Sequence, residues 1–182
     1  SYNEHALSSF LASQDLSRID ALLIGPGLGD SYTSSFVTAE ALKDFHGLLV
    51  LDADALNQVS SSAKGWQWIR DRNSPTWITP HLAEFRRLFP SIQRCSLLDA
   101  AIEAAKLSGA GVLLKGAHSV IADPMGRSWQ LTETAPWVAR TGLGDLLAGF
   151  VTGVGAISMV SEEEISCEVL AASAFMHAEA AR

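Results

Sequence analysis

Ala21-Leu-Leu-Ile-Gly25-Pro-Gly-Leu-Gly29 is a short apolar run that stops in a glycine-rich loop. Consecutive apolar residues bounded by a turn signal read as a strand buried on both faces, and the glycines let a ligand approach the backbone. The pattern recurs outward along the chain. Leu48-Leu-Val-Leu-Asp52, Thr76-Trp-Ile-Thr79 and Gly111-Val-Leu-Leu-Lys115 read as three further strands. An amphipathic helix is expected from about Ser31 to Phe45, with Gly47 as its C-cap. Others are expected over Ala55 to Arg70 with an irregular middle, His81 to Phe89, and Leu97 to Leu107 behind a Ser96 cap. Ser119 to Ala122 and Ser128 to Thr132 form the arms of a hairpin around Asp123-Pro-Met-Gly126. Two helices close the chain, the second opening on the capping-box pattern Ser161-Glu-Glu-Glu164. Apolar strands alternating with helices define an α/β fold, a parallel sheet covered on both faces.

The bulk properties narrow the function. At 182 residues, without repeats, linkers or low-complexity runs, the chain reads as one domain over 1–182. With 48% hydrophobic residues it has ample material for a core. A formal charge of −7 argues against nucleic acid or an anionic membrane as the main partner, while leaving room for a local anion site. Cys95 and Cys167 sit outside any CxxC or zinc spacing and read as reduced, structural thiols. No apolar stretch reads as long and uninterrupted enough to cross a bilayer, and no basic-then-apolar leader opens the chain. A cytoplasmic protein is the expectation.

Ligands of open α/β sheets bind beyond the carboxyl ends of the strands. Here those ends carry unusual residues. The first runs into Gly25 to Gly29, the second into Asp52-Ala-Asp54-Ala-Leu-Asn57, the third into Thr79-Pro-His81-Leu-Ala-Glu84, and the fourth into Lys115-Gly116-Ala117-His118-Ser119. A fifth stretch, Thr141-Gly-Leu-Gly-Asp145, opens onto an apolar run from Leu146 to Ile157 that reads as a buried helix. Gly142 and Gly144 free the backbone there, and a helix start offers unpaired N–H groups and the positive end of its dipole to a phosphate. Asp145, in the first turn, is placed to take a proton from a hydroxyl approaching that phosphate. Read alone, the stretch is more often an ordinary turn with a helix-N-terminal aspartate.

The ordered set GPGLG, DADALN, TPHxxEF, LKGxxS and GxGDxLAG, spanning about Ile19 to the C-terminus, resembles the ADP/ATP-dependent NAD(P)H-hydrate dehydratases. These are the carbohydrate-kinase-like branch of the ribokinase-fold superfamily. The resemblance implies a three-layer α/β/α sandwich with a mostly parallel central sheet. It implies repair of hydrated NADH and NADPH: ADP or ATP phosphorylates the added hydroxyl, and loss of phosphate restores the dihydronicotinamide ring. Gly27 and Gly29 would then lie against the hydrated dinucleotide, and His81 would hydrogen-bond it. Lys115, Gly116, Ala117, His118 and Ser119 would line the adenine nucleotide, with Lys115 near its phosphates. Gly144 would donate its N–H to the transferring phosphate and Asp145 would act as base and substrate contact. Mg²⁺ is expected with the nucleotide, and a homo-oligomer as the assembly.

Some residues keep alternatives open. Asp52, Asp54 and Asn57 organise the strand end, touch a Mg²⁺–phosphate through water, or make turn hydrogen bonds. Glu84 is either a helix-terminal charge partner or a ligand contact. The chain departs from the family pattern at Leu143, where a small or hydroxyl residue is usual, and places Arg140 beside the anion hole. Family domains are also longer, so an N-terminally truncated domain is expected, one that associates with copies of itself or with a separate N-terminal segment. A small-molecule alcohol kinase of the same fold and a non-catalytic nucleotide-binding fragment are the competing readings. The Rossmann GxGxxG is absent, which disfavours an NAD-dependent oxidoreductase.

Overall fold

The computed structural model describes residues 11–29, 42–72, 74–92, 96–132, 142–161 and 165–180. Among these, β1 (Ala21–Ile24), β2 (Leu48–Leu51), β3 (Thr76–Ile78), β4 (Gly111–Leu114), β5 (Val120–Ala122) and β6 (Ser128–Gln130) form one sheet in that spatial order. β1 to β4 are parallel, with Ile24, Leu51, Ile78 and Val112 in register, and β5 and β6 continue as an antiparallel hairpin. Helices α1 (Ala53–Ser61), α2 (Gln67–Arg70), α3 (Leu82–Leu88) and α4 (Leu97–Ser108) connect the parallel strands. Helices α5 (Leu143–Ser161) and α6 (Cys167–Ala180) follow the hairpin.

Strand periodicity sorts the core into two layers. Leu49, Leu51, Ile78, Val112, Leu114, Val120 and Ala122 pack with α1, α3 and α4 on one face. Leu48, Val50, Trp77, Leu113 and Ile121 pack with α5 and α6 on the other. Parallel strands that step in one direction across a sheet place their crossovers on the same face, which leaves the second face to the last two helices. The result is the three-layer α/β/α sandwich read from the sequence.

Several elements differ from the expectation. The helix after the glycine loop forms, but it is not buried. Only Ala148, Val151 and Gly155 are enclosed, while Leu146, Phe150, Ile157 and Val160 are between 38% and 74% exposed on the opposite face. Hydrophobicity reported the helix without reporting that one side would lack a neighbour. With 19 residues and a mean hydropathy of 1.7, α5 is also long and apolar enough to cross a membrane, which corrects the expectation that no stretch is. Its glycine-containing run proved continuous helix, and its inner face packs on β1 and β2. A β-carbon on Gly155 would collide with Leu48 and come within 2.9 Å of Trp77, so only glycine permits this approach.

The second closing helix opens later than expected. Ser161 ends α5, its hydroxyl donating to the Ile157 carbonyl, and α6 begins at Cys167 with the Ser166 hydroxyl accepting from the Glu168 N–H. Among the described residues β1 lies at the edge of the sheet, and its Ala21, Leu22 and Leu23 are half-buried. The expected helix over Ser31 to Phe45 lies largely outside the described residues, as do Cys95, Arg140 and Thr141. Cys167 is a free, buried thiol whose pKa burial pushes up to about 12, in keeping with a structural role.

Candidate functional site

The carboxyl ends of the parallel strands meet at one edge of the sheet. Asp52 leaves β2 as the N-cap of α1, yet its side chain makes no capping bond. It turns toward Lys115, which leaves β4, and Lys115 Nζ donates to Asp52 Oδ1 at 2.7 Å. Asp52 is 1% exposed and the Lys115 side chain 19% exposed. The ion pair therefore offsets part of the cost of a buried carboxylate. Asp52 Oδ2 is buried without a hydrogen-bond partner among the described residues. Gly25 explains how the first strand end comes so close: a β-carbon there would strike the Asp52 carbonyl.

Ala53 is held at φ +47°, a left-handed conformation that costs a non-glycine residue on the order of 1–2 kcal/mol. This turn separates the two aspartates. Asp52 faces inward to Lys115, whereas Asp54 Oδ2 accepts from the Gly29 N–H at 2.8 Å. Gln58 Nε2 donates to the Gly29 carbonyl, so the loop carrying Gly27 and Gly29 is tied to α1 from both sides of one residue. Asn57 Oδ1 accepts from Arg87 on α3 at 2.8 Å. Asp54 and Asn57 thus organise the strand-end loops through bonds to distant chain segments, beyond local turn bonding.

His81 and Glu84 form a capping box at the start of α3. His81 Nδ1 accepts from the Ala83 and Glu84 N–H groups, and Glu84 Oε2 accepts from the His81 N–H. Nδ1 as acceptor places the ring proton on Nε2, which lies 3.2 Å from Glu84 Oε1. Glu84 is buried and acts within the chain, while His81 stays half-exposed at the site's rim. The Lys115 N–H donates to the Pro80 carbonyl, and His81 and Lys115 form an isolated parallel bridge, joining the third and fourth strand ends.

Gly116 and Ser119 close the turn after β4: the Gly116 N–H donates to Ser119 Oγ, whose hydroxyl lies 3.2 Å from the Gly116 carbonyl. His118 is exposed beside them. The start of α5 completes the arrangement. A β-carbon on Gly144 would lie 3.6 Å from Lys115 Nζ, so the ammonium abuts the first turn of the helix, where Asp145 is exposed. A lysine charge and a helix N-terminus converging on one point make a strong phosphate site.

The structure brings together Gly144, Asp145 and Lys115 with its 116–119 turn, and places Gly27, Gly29 and His81 on neighbouring strand-end loops. The sequence reading missed the direct Asp52–Lys115 pair and the contribution of Gln58 and Arg87. Arg87 lies two residues beyond the TPHxxEF motif, which ends at Phe85, and had only its charge to signal it.

Comparison with known proteins gives the family and the fold of the chain. The protein-family model for NAD(P)H-hydrate dehydratase matches residues 2–182. The chain belongs to that family. It is 39% identical over 170 residues to the bifunctional NAD(P)H-hydrate repair enzyme Nnr of Synechocystis sp., covering 93% of this chain and 31% of that protein. It is 41% identical over 142 residues to the enzyme of the same name from Thermosynechococcus vestitus, covering 77% of this chain and 26% of the relative. The chain therefore spans about a third or less of these relatives. Among solved structures, the ADP/ATP-dependent NAD(P)H-hydrate dehydratase from Bacillus subtilis, co-crystallized with ATP/Mg²⁺, shares the fold with a TM-score of 0.72 at 23% identity. That match covers 94% of this chain and 58% of that one. A ribokinase-like superfamily protein from Enterococcus faecalis gives a TM-score of 0.71 at 24% identity, covering 96% and 57%.

Proposed function

We propose that this chain carries out ADP- or ATP-dependent dehydration of hydrated NADH and NADPH. The observation that carries the reading is the meeting of Lys115 Nζ with the N-terminus of α5 at Gly144, one residue before Asp145. Lys115 and the 116–119 turn hold the nucleotide, with Lys115 and the Gly144 N–H facing the transferring phosphate. Gly27, Gly29 and His81 hold the hydrated dinucleotide. Asp145 removes the proton from the ring hydroxyl as its oxygen attacks the terminal phosphorus of ATP or ADP. The O–P bond forms and the nucleotide leaves one phosphate shorter. The C–O bond then breaks, inorganic phosphate and a ring proton depart, and the dihydronicotinamide is restored.

Mg²⁺ fits the same place. Asp52 supplies a buried, unpartnered carboxylate oxygen, and no cluster of three or more His, Cys, Asp or Glu side chains suited to a metal occurs among the described residues. One or two carboxylates plus substrate phosphates is the usual protein contribution to Mg²⁺. When bound, the ion neutralises phosphate charge. Asp52 would hold it while keeping Lys115 in place.

The deciding assay follows the dihydronicotinamide absorbance with hydrated NADH or NADPH and either ADP or ATP. Recovery of absorbance with release of inorganic phosphate is expected; a stable phosphoester would instead indicate a small-molecule kinase. The exposed apolar face of α5 and the half-buried edge strand β1 support an assembly in which another polypeptide covers them, either a second copy or a separate N-terminal segment. Sedimentation showing a stable monomer at micromolar concentration, together with full dehydratase activity, would overturn that assembly. A cytoplasmic location is part of the same proposal.

A further inference from the structure

A cleft of about 260 Å³ lies next to the Gly29 loop, lined by Gly29, Asp54, Asn57, Gln58 and Arg87 with two serines of α1. Its polar groups are arranged in a definite way. Arg87 is exposed, forms no ion pair among the described residues, and is held by its single bond to Asn57 Oδ1. A basic residue in the last turn of a helix serves the dipole in any orientation. The bond to Asn57 instead holds the guanidinium at the cleft, and its other N–H groups make no hydrogen bond among the described residues. Asp54, which lines the same cleft, commits Oδ2 to the Gly29 N–H, and its Oδ1 accepts no hydrogen bond among the described residues. The serines are occupied, Ser60 and Ser61 both donating to the Asn57 carbonyl.

One cation and one carboxylate acceptor lining the same small polar cleft match a ligand bearing both a phosphate and a hydroxyl. Neither a bare anion, which Asp54 repels, nor an apolar group fits. We propose that the cleft is a subsite for a phosphorylated ribose, with Arg87 bonding its phosphate and Asp54 accepting from a ribose hydroxyl. It borders Gly29, so on the dinucleotide reading above, on which this inference rests, the ribose is that of the dinucleotide. The phosphate is the one that distinguishes NADPH from NADH. Arg87 then makes the site prefer the phosphorylated form.

The test titrates NADPH, NADH and ADP separately into the protein and its Arg87→Gln variant, read by dihydronicotinamide fluorescence for the first two and calorimetry for ADP. Arg87 is exposed, so the variant is expected to fold, and ADP binding checks that it has. The wild-type protein should bind NADPH several-fold more tightly than NADH. Loss of one charge-assisted phosphate contact should weaken NADPH about tenfold while NADH changes less than about twofold and ADP is unaffected. Equal affinity of the wild type for the two dinucleotides, or equal or absent weakening in the variant, overturns the subsite. Weakening of ADP in a variant with an unchanged melting temperature reassigns the cleft to the nucleotide and also overturns it. Binding of ADP with no binding of either dinucleotide to the wild type overturns the dinucleotide reading itself, and the subsite with it.

Discussion

Asp52 and Lys115 stand 63 residues apart in the chain and are joined by a 2.7 Å ion pair at the carboxyl ends of two strands. The two side chains hold each other in place, with the Lys115 ammonium close beside Gly144 at the start of α5. Asp52→Ala leaves the ammonium without its partner in a mostly enclosed position. Urea unfolding should register a loss of about 1–3 kcal/mol. A double Asp52→Ala, Lys115→Met variant should regain part of it. Additive losses would mean that the pair is energetically uncoupled.

Lys115→Ala should weaken ADP or ATP binding more than dinucleotide binding, because its charge faces phosphate. Calorimetry with each ligand decides the matter. Equal weakening of both, or of neither, would place the nucleotide elsewhere.

Asp145→Asn should lower turnover by roughly 10²–10⁴-fold while ADP binding persists, since the backbone N–H groups of the helix start remain. Asp145 is exposed, so folding should be unaffected. An unchanged rate would remove it from the mechanism.

Gly155→Ala puts a methyl group into the contact between α5 and the Leu48 and Trp77 side chains. Overpacking of this kind costs about 1–3 kcal/mol. A melting temperature equal to that of the parent protein would show that the helix can lift from the sheet at no cost, and that the α5 start is less firmly placed than the geometry requires.

His177 gives a pH dependence. Its Nε2 is buried without a hydrogen-bond partner among the described residues, and burial lowers its pKa from the usual value. The unfolded chain therefore binds the proton more readily than the folded one. Stability from this group is fully present above the unfolded histidine pKa of about 6.5 and is lost as pH falls through the lower folded value. The slope contributed is at most about 1.4 kcal/mol per pH unit. Denaturation midpoints between pH 7 and pH 5 should fall less steeply in His177→Leu; identical slopes would assign the dependence to other groups.

The amino-acid sequence by itself determined the strands, their carboxyl-terminal loops and the family. Continuous apolar runs such as Leu48 to Leu51 have only one stable setting, buried in a covered sheet, and local patterns such as Ser96 before α4 fix their elements without outside help. Only the tertiary structure decided what depends on neighbours distant in the chain. Three of these were the pairing of Asp52 with Lys115, the tying of Gly29 to Asp54, and the direction of Arg87. The fourth was the exposure of α5, which hydrophobicity alone read as buried. Periodicity reports which residues seek cover. Whether cover is supplied, and which charge meets which, is set by how separate segments pack, and that information is not local.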